Sequence, residues 1–94
     1  MTNEEYLTCR NDGSCPLIID VREKEEWDTG HIDGAVHIPL AEIKEQIKLF
    51  AAKKDRRIVV CCAHGGRGLQ AKKILQKKGY KQVENLERGY FGLL

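Results

Sequence analysis

The sequence predicts an α/β domain with a mostly parallel sheet flanked by helices on both faces, and two features of the 94-residue chain carry that expectation. Runs such as Leu17-Ile18-Ile19 and Ile58-Val59-Val60-Cys61-Cys62 are apolar at successive positions, the pattern of strands buried on both sides. Between them lie stretches whose apolar residues recur at helical spacing, so strands and helices take turns.

Taken in order, Thr2-Asn3-Glu4-Glu5 has the form of a capping box opening a short helix through Leu7, and Asn11-Asp12-Gly13-Ser14 reads as a turn. Leu17 to Val21 is a buried strand, and Glu23 to Trp27 fits one helical turn. Gly30 and Gly34 bracket a tight connection, after which Ala35 to Ile38 forms a short strand stopped by Pro39. Leu40, Ile43, Ile47 and Phe50 then follow at helical spacing. After the strand Ile58 to Cys62 come a Gly-rich loop, a helix to about Lys78 closed by Gly79 at C′, and a last strand from Val83 to Leu86. No internal repeat or low-complexity tract interrupts the pattern.

The length points to a single domain over residues 1–94, able to bury only about 60–65% of its unfolded surface in one modest core. No 18-residue apolar stretch is present, and Met1-Thr2-Asn3-Glu4-Glu5-Tyr6 lacks the basic and apolar regions of a signal peptide. A cytoplasmic location without membrane contact is therefore expected, with the four cysteines reduced. Cys9, Cys15 and Cys61-Cys62 do not fall at zinc-ribbon spacing, so neither a metal nor another cofactor is expected. Residues 1–50 hold five Lys/Arg against eleven Asp/Glu, and residues 51–94 hold eleven against three, a split of −6 and +8 within the overall +2. The basic part favours a small anionic substrate or an acidic protein partner. It equally fits the solvated face of a helix, since Lys72-Lys73 and Lys77-Lys78 flank Ile74-Leu75. Nucleic-acid binding is not expected, because only Tyr80 is interleaved with that charge.

The chemistry concentrates at Cys62-Ala63-His64-Gly65-Gly66-Arg67. A strand delivers Cys62 to a loop too poor in apolar area to be explained by packing, and a helix begins just after it. Unpaired N–H groups at a helix N-terminus, together with a curled loop, hold negative charge. Such surroundings lower a cysteine's pKa from about 8.5 to roughly 3.5–7.5, which marks Cys62 as the nucleophile candidate. Against this stands the ordinary behaviour of cysteine as a small buried hydrophobe. Arg67 offers a planar fork of donors to an anionic substrate, with the amides of Ala63 to Gly66 beside it.

With these residues in place, the chain resembles a single-domain rhodanese, a sulfurtransferase of the rhodanese-like family. The resemblance rests on Ile18-Ile19-Asp20-Val21-Arg22-Glu23 with Glu26-Trp27, on Gly30-His31-Ile32-Asp33-Gly34-Ala35-Val36-His37-Ile38-Pro39, and on Cys62-Ala63-His64-Gly65-Gly66-Arg67. It is strongest over residues 17–89. It implies a central parallel sheet of five strands flanked by helices. It also implies that Cys62 takes a sulfane sulfur from a donor such as thiosulfate, becomes a persulfide and passes the sulfur to a thiophilic acceptor such as cyanide or a protein thiol. A phosphatase or arsenate-reductase branch of similar fold uses a Cys-x5-Arg loop, whereas four residues separate Cys62 from Arg67, a tighter cradle suited to a sulfur atom. A persulfide carrier serving one protein partner, or a noncatalytic interaction module, is the other alternative, although such modules typically lack the loop cysteine.

Asp20 and Arg22, at a strand end, are expected to form a buried ion pair or a cap. His31 and His37 fall in segments that the resemblance assigns to scaffold. His64 either touches substrate or faces solvent, and Trp27 is expected in or over the core. Cys61 is expected to be a buried strand residue pointing away from Cys62. The resemblance weakens at the end, where Gly-Gly and a tryptophan-bearing helix give way to Glu87-Arg88-Gly89-Tyr90-Phe91-Gly92-Leu93-Leu94. These apolar residues must fold back or meet another subunit, which leaves the oligomeric state open.

Overall fold

The computed structural model describes residues 1–12 and 16–94. Helix α1 covers Asn3–Asp12, β1 Leu17–Asp20, α2 Lys24–Asp28, β2 Val36–His37, α3 Ile43–Phe50, β3 Ile58–Cys61, α4 Gly66–Lys77 and β4 Val83–Asn85. Short 3-10 turns run over Leu40–Glu42 and Tyr90–Leu93. The strands form one parallel sheet in the order β2-β1-β3-β4, with Asp20 opposite both His37 and Cys61, and Val60 opposite Asn85. All four carboxyl ends therefore meet at one edge, where the connecting loops gather.

Among the described residues the sheet has four strands, not the five that the resemblance implied. The N-terminal segment covers a face of the sheet instead of adding to its edge. Helix α1 runs past Leu7 to Asp12, which absorbs the expected turn at Asn11 and Asp12, while Gly13 and Ser14 lie outside the described residues. Its start is the expected capping box: Thr2 Oγ1 accepts the Glu5 N–H at 3.0 Å, and Glu5 Oε1 accepts the Thr2 N–H at 2.9 Å. Tyr6 and Cys9, three residues apart on one helical face, reach the sheet.

Two cores lie on opposite faces, and the alternation of side chains along each strand divides them. Ile19, Val60, Cys62 and Val83 pack with Ile43, Ile47, Ala71 and Leu75 of α3 and α4. Ile18, Val59 and Cys61 pack with Tyr6, Cys9, Ile32 and Leu86, and with the partly buried Tyr90 and Leu93. The expected cover on both faces is thus present. Phe50, although in register with Ile43 and Ile47, closes α3 and is exposed. No helix among the described residues is long and apolar enough to cross a membrane.

Candidate active site

Strand β3 ends at Cys61, so Cys62 is the first residue released from the ladder and Gly65 is already the N-cap of α4. Gly65 has φ +105°, a conformation that disfavours any side chain, and a Cβ there would overlap the Glu87 carbonyl oxygen. This turn aims the Gly65 N–H at Cys62 Sγ, 3.0 Å away. The N–H groups of Gly66, Arg67 and Gly68 follow in the first helical turn without intrahelical acceptors; Leu69 N–H is the first to reach back, to Gly65 O at 3.0 Å. The sulfur therefore sits where backbone dipoles favour negative charge. Asn85, from the end of β4, donates Nδ2–H to Gly65 O at 3.0 Å and fixes the loop from the side.

The C-terminal segment forms the other wall. Tyr90 N–H donates to Cys62 O at 2.7 Å and Phe91 N–H to Ala63 O at 3.2 Å, so the first two N–H groups of the closing 3-10 turn hold the start of the loop. Gly89, at φ +66°, lets the two segments approach this closely, since a Cβ would overlap the carbonyl oxygens of both Cys62 and Ala63. Buried Asn3 locks the segment from behind: its Nδ2 donates to Gly89 O at 3.0 Å, and its Oδ1 accepts the Arg88 N–H at 2.9 Å. The apolar C-terminal residues fold back in part, Tyr90 and Leu93 onto the domain and Phe91 against His64, while Leu94 stays exposed.

Of the expected site residues, Cys62, Ala63 and Gly65 are buried, His64 and Gly66 are exposed, and Arg67 is about one-third exposed. Cys62 is only 1% exposed: its sulfur is packed like a core residue and at the same time receives a loop N–H. The Arg67 fork does not stand free. Its terminal nitrogens donate to the two carboxylate oxygens of Glu26 at 2.6 and 2.8 Å. The pairing raises the Arg67 pKa, to which the charge of Cys62 adds, and holds the Glu26 carboxyl down at about 2. Glu26 thus belongs to the site through Arg67.

Asp20 and Arg22 form the expected buried pair, each side chain 1% exposed. Arg22 Nε and NH2 donate to Asp20 Oδ2 at 3.0 and 2.8 Å, NH2 also reaches Gly30 O at 2.7 Å, and the guanidinium lies 4.6 Å from the Tyr90 ring centroid. The pair braces the segments around the loop. His31 and His37 are scaffold in geometry: Nδ1 of His31 donates to Trp27 O and Nε2 of His37 to Arg22 O. Trp27 stacks on both rings at 3.5 and 4.9 Å and is half-buried, outside both cores. Cys61 Sγ lies in the opposite core from Cys62, and burial pushes its thiol up to about 12. Among the described residues no three His, Cys, Asp or Glu side chains converge as metal ligands. Cys15 lies outside the described residues.

The sequence reading did not assign Glu26, Gly89, Asn3 or Asn85 to the site. Gly89 carried a signal, as a glycine beside a strand end, whereas Asn3 carried none, because its partners lie more than 80 residues away.

Comparisons with known proteins agree with this architecture. The rhodanese-like domain matches residues 2–94. The chain is 43% identical over 67 residues to thiosulfate sulfurtransferase PspE of Escherichia coli, covering 71% of this chain and 64% of PspE. It is 38% identical over 72 residues to the putative sulfur carrier protein YrkF of Bacillus subtilis, covering 77% of this chain and 38% of YrkF. Among solved structures, SSP1007 of Staphylococcus saprophyticus superimposes with a TM-score of 0.90 at 28% identity, covering 100% of this chain and 91% of that one. The human single-domain sulfurtransferase TSTD1 superimposes at 0.83 with 26% identity, over 96% and 89% of the two chains. A strand-delivered cysteine under a helix N-terminus, on a parallel sheet with these relatives, places the chain in the rhodanese-like domain family.

Proposed function

We propose that this protein is a sulfurtransferase that moves a sulfane sulfur from thiosulfate, or a related persulfide donor, to a thiophilic acceptor through a persulfide on Cys62. The observation that carries this reading is the Gly65 N–H held 3.0 Å from Cys62 Sγ at the head of α4. The Cys62 thiolate attacks the outer sulfur of thiosulfate; a new S–S bond forms, the S–S bond of the donor breaks, and sulfite leaves with the electron pair. Charge is conserved, one thiolate and one dianion giving one persulfide anion and one sulfite dianion. The loop N–H groups and α4 stabilise negative charge throughout. The persulfide sulfur stands roughly 2 Å beyond the buried Sγ, which brings the reactive atom toward the loop mouth where the second partner attacks. Splitting the reaction at the enzyme replaces one three-body transfer by two displacements.

Arg67 has five N–H donors, and Glu26 takes two of them. The remainder serve the anionic donor. The tight loop with its arginine turned onto Glu26 favours a sulfur atom over a tetrahedral oxyanion as the group held. The similarity to PspE supports thiosulfate as donor, and the similarity to YrkF supports a second reading in which the acceptor is a protein thiol and the chain acts as a carrier. Intact-mass measurement after thiosulfate treatment tests the proposal: one added sulfur, removed by cyanide and absent in Cys62→Ser, is expected. A Cys62→Ser variant that still loads or turns over thiosulfate overturns it.

A further inference from the structure

Asn85 ends β4 with its side chain between the loop and the first turn of α4. Its Nδ2 donates to Gly65 O at 3.0 Å, and the same oxygen accepts the Leu69 N–H at 3.0 Å. The carbonyl belongs to the peptide unit that carries the Gly66 N–H, and the preceding peptide unit carries the Gly65 N–H that reaches Cys62 Sγ. Asn85 therefore grips the one residue, at φ +105°, that joins the helix start to the sulfur. Its Oδ1 is buried and has no hydrogen-bond partner among the described residues. On that side stands Gly68, where a Cβ would overlap Oδ1. Neither half of the amide is explained by satisfying the fold. Leu69 already gives Gly65 O a partner, and a buried acceptor left unpaired opposes folding, a cost that an apolar side chain of the same shape would not carry. What the amide adds is a second hold on Gly65.

We infer that Asn85 is a positioning residue for the nucleophile: by holding Gly65 it aims the N–H groups of the turn so that Cys62 is kept as the thiolate. This rests on the sulfur-transfer reading above, which needs that thiolate. The side chain acts through the Gly65 backbone and not on the sulfur itself. Two effects run in the same direction. A hydrogen bond to Gly65 O polarises the peptide unit and strengthens the Gly66 N–H as a donor. Fixing the left-handed turn in advance spares the backbone from reorganising when charge appears on Sγ, which is what a preorganised donor contributes. Gly68 is the second part of the device, because a larger residue there displaces the amide. Arg67 with Glu26, Asp20 with Arg22, His64 and Tyr90 supply the charged and titratable side chains of the loop and of the elements beside it. All of them remain in the variants below, so a change in the thiolate reports on the turn.

The test follows the ultraviolet thiolate absorbance of Cys62 against pH, with the Cys62→Ser counterpart of each protein subtracted so that the tyrosines and the other cysteines cancel. Asn85→Ala, which removes the donor, and Asn85→Leu, which removes it while keeping the bulk, are expected to shift the profile toward higher pH by about one unit. Gly68→Ala, which keeps Asn85 but displaces it and suits a helix, is expected to shift the profile the same way. The double variant Asn85→Ala/Gly68→Ala is expected to shift it no further than Asn85→Ala alone, because no amide is left to displace. Denaturant melts show which variants are folded. An unmoved profile in folded Asn85→Leu or Gly68→Ala, with only stability changed, overturns the inference, and so does a strictly additive shift in the double variant. Wild-type protein that takes up no sulfur from thiosulfate, scored by intact mass, overturns the sulfur-transfer reading instead, while the profiles still decide the role of Asn85.

Discussion

Arg67, at the start of α4, and Glu26, on α2, are 41 residues apart in sequence and joined through both terminal guanidinium nitrogens and both carboxylate oxygens. The pair orients the arginine at the loop and also neutralises it. Under the proposed function an incoming dianion meets Arg67 with a carboxylate already bound, and the two charges act on that donor in opposite directions.

Glu26→Gln keeps the size and a hydrogen-bond acceptor but removes the charge. Its apparent KM for thiosulfate is expected to fall about two- to threefold at low ionic strength, the difference shrinking as salt screens it. Arg67→Ala should raise the same KM, and Arg67→Lys should recover only part, because one ammonium does not reproduce the fork. Initial rates over a thiosulfate series at two salt concentrations decide this. A higher KM in Glu26→Gln would mean that positioning of Arg67 outweighs its neutralisation.

The same pair gives stability a pH dependence. Folding lowers the Glu26 pKa from 4.5 to about 2, chiefly through its hydrogen bonds to Arg67. The stabilisation is therefore complete above pH 4.5 and lost as pH falls toward 2. Since both side chains are about one-third exposed, solvent screening leaves roughly 1 kcal/mol. Denaturation of wild type and Glu26→Gln at pH 6 and pH 3 is expected to show a gap that narrows on acidification. A gap that stays constant would contradict the assignment.

Gly89 is placed against the backbone of the loop itself. At φ +66°, with no room for a Cβ beside Cys62 O and Ala63 O, Gly89→Ala must push the C-terminal segment and the loop apart. A loss of about 1–3 kcal/mol of stability and a larger loss of persulfide formation are expected, read by denaturant melts and thiosulfate loading. Gly34, also at positive φ but in open space, is the control: Gly34→Ala should carry the backbone cost while leaving loading near wild type.

What the sequence made legible was local. The capping box at Thr2 and Glu5, the fully apolar β3 and the glycines beyond Cys62 each specify a conformation through near neighbours, and each appears in the structure. The expected helix ending at Leu7 stopped short because the packing of Cys9 against the sheet, which favours its continuation, is a tertiary effect. The closing segment was illegible for the same reason: Tyr90 and Phe91 are held by backbone bonds to Cys62 and Ala63 that no side-chain pattern announces. At the site, the placement of Cys62 between a strand end and a Gly-rich loop could be read from the sequence, but the occupation of Arg67 could not, since Glu26 resembles any acidic residue in the first turn of a short helix.

Asp20 and Arg22 illustrate the cost of burying charge. Removing either partner leaves the other unpaired in the interior, and Asp20→Asn or Arg22→Met alone is expected to lose about 3–5 kcal/mol. The double variant Asp20→Asn/Arg22→Met should lose less than the sum of the singles, because no uncompensated ion remains. Thermal or denaturant melts of the four proteins measure the coupling; strict additivity would show that the two groups are stabilised independently, by Gly30 O and the Tyr90 ring on the arginine side.

Cys61 and Cys62 are consecutive, and their proximity invites the idea of a vicinal disulfide that gates the nucleophile. The sheet separates them: Cys61 packs with Tyr6, Val59 and Leu86 on one face, and Cys62 with Val60 and Ala71 on the other. A bridge would require the two side chains to turn toward each other out of packed cores, with backbone distortion. Burial also pushes the Cys61 thiol up to about 12, so near neutral pH it offers almost no thiolate to attack a disulfide or a persulfide. Cys61→Ala is therefore expected to lose about 1 kcal/mol through lost packing yet to load and transfer sulfur as the wild type does. Mild oxidation followed by digestion and mass mapping checks the geometry from the other side. A Cys61 to Cys62 bridge that forms readily and is reversed by thiols would mean that β3 unravels at its end on a useful timescale, and would make oxidation a switch on the nucleophile.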